Sequence, residues 1–286
     1  MKVPRGLQPL IDDGVIDAVL GQLKSGKEAS VFLVACGRHV RCAKVYKEAQ
    51  HRGFRHAAEY REGRQSRNSR DHRAMGNRSR HGRREQESNW KNAEVEALYR
   101  LAGAGVRVPQ PHGVYEGVLI MELVADTEGR PAPRLNDVAP TPEQAREWHA
   151  YLVGQVQRML CLGMIHGDLS EYNVLLGADG PVIIDLPQAV DAAGNNNALR
   201  MLARDLNNLR AWCGAVAPEL LATDYAHEMW KLYEVGELRP DMALTGRFVH
   251  DATPADVGQV LYEVDQARKE AEARERGRLA AAAEAT

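Results

Sequence analysis

Apolar and polar positions change period several times along the chain, and each change marks an element. Between residues 14 and 46, VIDAVLGQL, SVFLVACG and HVRCAKVY alternate or run apolar over strand-like lengths, with Gly37-Arg38 set for a tight turn between the last two. The pattern predicts three short strands in a meander, with the loop KSGKEAS after the first. In NWKNAEVEALYRLAGAGV, Val95, Leu98 and Leu101 keep helical spacing, Asn89 can cap the start, and Gly103 or Gly105 can end it. VPQPHGVYEGVLIMELV predicts a Pro-punctuated connection and two strands turning at Glu116-Gly117. TPEQAREWHAYLVGQVQRMLCLGM reads as an amphipathic helix, with Thr141 as N-cap, Pro142 at its first position and Gly163 closing it. NNALRMLARDLNNLRAWCG and APELLATDYAHEMWKLYEVG predict two more helices.

The pattern implies an α+β chain in two lobes. A small β-rich N-lobe with one main helix spans residues 1–124, and a larger, mostly helical C-lobe spans 125–252, with a hinge near 121–134. From Thr253 to the end the chain reads as a charged helical tail, 253–286. One stretch within the N-lobe, 47–90, breaks every period. Between His51 and Trp90 eleven Arg stand against five acidic residues, with few large apolar side chains. Such a segment buries too little surface to offset its ordering entropy, and it reads as a mobile loop or marginal helix. It serves either as a solvated insertion or as a basic surface for RNA, a ribosomal particle or an acidic protein, its Arg content suiting phosphate contact more than base stacking.

Composition narrows the setting. The chain has 286 residues, 44% apolar and 27% charged, with a net charge of −2, enough for a real core and no bias toward a polyanion outside the Arg-rich stretch. Cys36, Cys42, Cys161 and Cys213 form no CxxC pair and read as reduced, buried thiols. MKVPRGLQPL lacks the long apolar core of a secretory signal, and no run approaches the ~20 apolar residues a membrane helix needs. The expectation is a cytoplasmic protein with no membrane contact.

The candidate chemistry is concentrated in LGMIHGDLSEYNVLLGADGPVIIDLPQ, residues 162–188. Asp168 and Asn173 stand five apart, and Asp185 follows twelve residues later across a predicted hairpin turning at Asp179-Gly180. That hairpin sets Asn173 beside Asp185. Carboxylate and amide oxygens are hard donors suited to Mg²⁺, which keeps waters and leans on substrate phosphates for the rest of its shell. Asp168 is then free to accept a hydroxyl proton or orient a nucleophile, the division of labour in the protein-kinase catalytic loop. Upstream, Lys44 lies on a predicted strand in RCAKVY, and Glu94 or Glu96 on the following helix could pair with it, Glu94 being preferred. KSGKEAS is neither a G-x-G-x-x-G nor a Walker loop, yet the N–H groups around Gly26, the Ser25 and Ser30 hydroxyls and Lys27 could meet phosphate oxygens.

SGKEAS, HGDLSEYN and IDLPQ together resemble the RIO family of atypical serine/threonine protein kinases, from about Gly14 to Trp212. With no room for a winged helix before the phosphate loop, the chain looks nearer the first or third subgroup, in a bacterial form. The resemblance implies a protein-kinase-like fold that uses ATP with Mg²⁺, or Mn²⁺ in its place. Carried over by position, it places Ser25, Lys27 and Ser30 at the phosphates and pairs Lys44 with Glu94. Met121 backs the adenine pocket, while backbone groups of Glu122 and Val124 read the adenine edge. Asp168 becomes the catalytic aspartate, Asn173 and Asp185 hold the metal, and Asp205 braces the catalytic loop. Lys24-Ser25 departs from the Ser-Thr of the family.

Three activities fit these residues. The first is a serine/threonine kinase that phosphorylates itself, with Ser66, Ser69, Ser79 or Ser88 as acceptors. The second is an ATPase switch in ribonucleoprotein maturation, passing through a phospho-aspartate at Asp185. The third is a small-molecule phosphotransferase of the aminoglycoside kinase type, which SEYN, DLPQ and SGKEAS disfavour.

Overall fold

The computed structural model describes residues 3–26, 29–47 and 93–249. Lys27, the Asn89 cap, the Arg-rich stretch with its four candidate serines, and the tail lie outside the described residues. The described residues up to Phe248 form one compact unit.

The described chain opens with a 3-10 turn, Arg5–Leu7, that passes into α1 (Gln8–Asp12). This element has no counterpart among the predicted ones. Its signal is short: Leu7, Leu10 and Ile11 at i, i+3 and i+4, with Pro9 in the first turn. Leu7 and Leu10 are fully buried against Ile16, Phe32, Val34, Ala43, Val118 and Ile120. Burying two leucines stabilises by at most ~3–6 kcal/mol, enough to hold a helix too short to persist alone.

A five-stranded antiparallel sheet follows, built from β1 (Ala18–Ser25), β2 (Ala29–Cys36), β3 (His39–Tyr46), β4 (Pro111–Tyr115) and β5 (Val118–Glu122), in the order β1-β2-β3-β5-β4. The helix α2 (93–103) lies between β3 and β4 in sequence. The first strand starts and ends later than its apolar pattern predicts, and two register shifts within it skip Leu20 and Leu23. Both are bulge residues on an edge strand and stand exposed at 51% and 42%. Elsewhere the period of two holds. Ala43, Val118 and Ile120 face the core under α1, which turns Cys42, Lys44, Leu119 and Met121 to the opposite face. Register pairs Cys42 with Met121 and Lys44 with Leu119, so four cleft-facing side chains come from two adjacent strands.

The second lobe is organised by α3 (Pro142–Cys161), which starts at the predicted cap: Thr141 and Gln144 close a full capping box, with Pro142 at N1. Half of this helix is buried, including the polar His149, Gln155 and Gln157. Short strands β6 (Met164–Ile165) and β9 (Val190–Asp191) pair, and β7 (Val174–Gly177) and β8 (Gly180–Ile183) form the hairpin expected between Asn173 and Asp185. Two helices complete the lobe, α4 (Ala198–Gly214) and α5 (Tyr225–Glu234). The single helix predicted over 217–236 is two pieces. A 3-10 segment, Pro218–Ala222, stops where the Thr223 hydroxyl donates to the Leu220 carbonyl, and Asp224 caps α5 by accepting the His227 N–H. Local side-chain bonding at Thr223-Asp224 outcompetes helix continuation. One apolar core joins Leu152, Val156, Leu160, Leu206 and Met229 to Leu98, Leu101 and Leu119 of the first lobe.

Candidate active site

Between the sheet and the β7–β8 hairpin lies a cleft of about 460 Å³. Ala29, Val31, Cys42, Leu119 and Met121 line it on the sheet side, and Leu175, Ile184 and Leu186 line the other. Leu23, Cys42, Leu175 and Ile184 are lining residues that sequence reasoning did not select. Leu23 enters because its bulge turns it out of the strand pattern, while the other three are visible only once register is known. Burial pushes the Cys42 thiol up to about 12, so it serves as apolar wall and not as a nucleophile.

Lys44 projects from β3 into this cleft and forms an ion pair with Glu94 on α2, with side chains only 13% and 8% exposed. The choice of Glu94 over Glu96 agrees with the geometry. Asp185 Oδ1 lies 3.8 Å from the same ammonium, and its own side chain is 52% exposed. Asp185 has a φ of 68°, a left-handed conformation that few residues other than glycine adopt.

The loop 166–173 is held from behind. Asp205, on α4 and 1% exposed, accepts the Gly167 N–H at 2.7 Å and the Leu169 N–H at 2.9 Å. Burial pushes its carboxyl up to about 6, against the pull of His166, the two N–H groups and Arg204. Arg204 donates to the Gly167 carbonyl, and Asn208 donates to that of Leu169 at 2.9 Å. His166 Nδ1 accepts the Asp168 N–H at 3.3 Å, which leaves the proton on Nε2 to be donated to the Ile184 carbonyl at 3.0 Å. His166 thereby ties the loop bearing Asp168 to the residue before Asp185, a role its place in the motif alone does not reveal.

Asn173 is fixed on both its backbone and its side chain. Its carbonyl accepts the Ile184 N–H at 2.9 Å. Its Nδ2 donates to the Asp168 carbonyl at 2.8 Å and lies 3.4 Å from Asp168 Oδ2. With the amide nitrogen committed, Oδ1 remains as the donor to a cation. Among the described residues no group of three or more His, Cys, Asp and Glu gathers as a metal centre. The Asn173 oxygen and the Asp185 carboxylate fit instead a hard cation that completes its shell with phosphate and water.

Next to Lys24 and Gly26, which line the cleft, Ser25 and Ser30 are register partners whose hydroxyls lie 3.3 Å apart and do not themselves line it. Lys47, absent from the sequence-based set, donates to Ser25 Oγ at 2.9 Å and to the Gly26 carbonyl at 2.7 Å. At the hinge, Met121, Glu122 and Val124 all line the cleft. The Glu122 N–H donates to the Gln110 carbonyl at 2.8 Å, and the Val124 carbonyl accepts the Ala132 N–H at 2.9 Å.

Comparisons with known proteins identify relatives of this chain. The RIO domain family model matches residues 30–224. The RIO-type serine/threonine-protein kinase Rio1 of Haloferax volcanii is 37% identical over 204 residues, covering 70% of this chain and 64% of that protein. Serine/threonine-protein kinase RIO3 of Caenorhabditis elegans is 31% identical over 214 residues, 70% of this chain and 37% of that protein. In each case the match spans less than two thirds of the relative's length. A crystallised kinase domain superposes with a TM-score of 0.48 at 12% identity, covering 77% of this chain and 67% of that one. The family match takes in more than half of the chain, including β3, the loop around Asp168 and the hairpin before Asp185. The chain belongs to the RIO family of atypical kinases.

Proposed function

We propose that this protein is an ATP- and Mg²⁺-dependent serine/threonine kinase of the RIO type that phosphorylates itself. The observation that carries the reading is the convergence on one apolar-walled cleft of the Lys44–Glu94 pair and Asp185 beside that lysine, with the braced loop of Asp168 and Asn173 tied to the cleft wall through Ile184. The apolar walls suit a nucleobase, and Lys44, held by Glu94, supplies positive charge to the phosphates. Asn173 and Asp185 hold the metal, which would neutralise charge on the phosphates. Asp168 accepts the proton of the attacking hydroxyl, kept in place by its own N–H on His166 and by Asn173. Ser25, Lys27 and Ser30 meet the phosphate oxygens. Relatives named Rio1 and RIO3 support a place near the first and third subgroups.

A second reading, an ATPase switch with a phospho-aspartate at Asp185, is favoured by one feature. Asp185 is half exposed and held at positive φ, a conformation of the kind retained at functional sites. Incubation of the full chain with γ-labelled ATP and Mg²⁺, separating protein-bound from free phosphate, distinguishes the two. Acid-stable phosphoserine supports the kinase, whereas a hydroxylamine-labile label that Asp185→Asn removes supports the switch. Asp168→Asn is expected to lower turnover at least a hundredfold with nucleotide affinity largely kept, and full turnover in that variant refutes both readings.

A further inference from the structure

Arg107 lies in the connector between α2 and β4, outside every motif used above, and its contacts run in three directions. Its guanidinium grips the Glu122 carboxylate with two bonds, 2.8 Å to Oε2 and 2.7 Å to Oε1, and the Gln110 N–H adds a third at 2.9 Å. Its backbone N–H donates to Oε1 of the buried Gln155 on α3 at 2.7 Å. Its carbonyl accepts the N–H of Ile183 at 3.0 Å, the last residue of β8 and two before Asp185. One residue thus touches the hinge, the central helix of the second lobe, and the strand that leads to Asp185.

We propose that Arg107 is a positioning residue that fastens the hinge edge at Glu122–Val124 to the strand carrying Asp185, so that the two ends of the cleft keep one spacing. The meaning of those ends, nucleobase and metal, rests on the nucleotide reading above; the fastening does not. A planar fork matched to a carboxylate fixes direction as well as distance, which a single lysine contact cannot do. The charge state agrees. Burial works to raise the Glu122 carboxyl, but Arg107 and the Gln110 N–H hold it below the usual carboxylate range. Because the bonds to Gln155 and Ile183 come from the Arg107 backbone, truncating the side chain cuts the hinge link and leaves the other two in place.

The test uses the full chain as wild type, Arg107→Ala and Arg107→Lys, the lysine variant guarding against loss of folding in the alanine one. Without ligand, hydrogen exchange across residues 118–124 should quicken about tenfold in Arg107→Ala and less in Arg107→Lys. Exchange across 18–23, on the far edge of the sheet, should stay as in wild type. Hinge exchange equal to wild type, or an even rise across the whole sheet, overturns the proposal in favour of a merely structural ion pair. With ATP as substrate, KM should rise about tenfold while kcat falls less than threefold, and the reverse split also overturns it. Should the wild type bind no ATP, the nucleotide reading fails while the ligand-free exchange still decides the fastening.

Discussion

Replacing Lys44 with Met removes the cation from a carboxylate that has little water to turn to. Glu94 is 8% exposed in its side chain and Lys44 13%, so the pair is close to fully buried. Breaking such a pair on one side typically costs 3–5 kcal/mol, because the remaining charge is left desolvated. The second contact, Asp185 at 3.8 Å, adds little, since that carboxylate is 52% exposed and retains water when the ammonium leaves. Lys44→Met should therefore lose about 3 kcal/mol or more of unfolding free energy, a fall in Tm of ~10 °C for a domain of this size. The double variant Lys44→Met/Glu94→Gln has no buried charge to strand and should recover most of that loss, giving a coupling energy of roughly 2 kcal/mol. Urea unfolding followed by fluorescence of Trp148, Trp212 and Trp230 measures all three proteins. Loss below about 1 kcal/mol in the single variant, with simple additivity in the double one, means the pair is effectively solvated and the reasoning fails. Both variants should lose phosphoryl transfer, so stability recovered without activity separates the fold's use of this pair from the site's.

Two further perturbations address the second lobe. His149, 2% exposed on α3, has its pKa lowered to about 4 by burial and by Arg210. A depressed histidine contributes stability that is full above its unfolded pKa near 6.5 and lost as pH falls through 4, about 3 kcal/mol in all. Asp205, raised to about 6, works in the opposite sense, stabilising at low pH and losing that contribution as pH rises from about 4 to 6. His149→Phe should flatten the acid limb of a stability–pH profile measured by urea titration; an unchanged limb refutes the assignment. Gly180 turns the β7–β8 hairpin at a φ of 115°, open to glycine alone among common residues. Gly180→Ala should cost ~1–3 kcal/mol and weaken Mg²⁺-dependent nucleotide binding, since the hairpin sets Asn173 against Asp185; unaltered unfolding would show that the turn carries no strain.

How far the chain's pattern reveals its fold varies by element, and the reasons are physical. Helix α3 is legible because cap, proline and periodicity all agree. Strands β3 and β5 are legible as strands, but only register shows that Cys42 and Met121 share the cleft face. The bulges at Leu20 and Leu23 are invisible to a period-two reading, since a skipped residue looks apolar whether it is buried or not. Of the residues proposed for the site, Asp168, Asn173 and Asp185 stand out by their spacing, while Lys44 and Glu94 are picked out only by a strand and a helix expected to face that loop. Arg107, His166 and Lys47 are not picked out. Each acts through a contact with a backbone group or side chain distant in the chain or outside its motif role, and no local pattern encodes that.

Three aspartates around the loop 166–173 and the strand that follows it are accommodated in different ways. Asp205 is taken out of water entirely and stays tolerable because two N–H groups point at its two oxygens, at the cost of a carboxyl raised to about 6. Asp185 keeps half its exposure and borrows Lys44, so its charge is available to a ligand rather than spent within the fold. Asp168 is held through its backbone, with its N–H on His166 and its carbonyl on Asn173, which fixes its position while Oδ2 keeps only a long contact to the Asn173 amide. The buried Asp205 has an N–H on each oxygen, whereas the carboxylates of Asp168 and Asp185 are left able to meet a ligand, as the proposed function requires. Hydrogen bonding therefore separates Asp205, which braces the loop at Gly167 and Leu169, from Asp168, the residue proposed to take the hydroxyl proton.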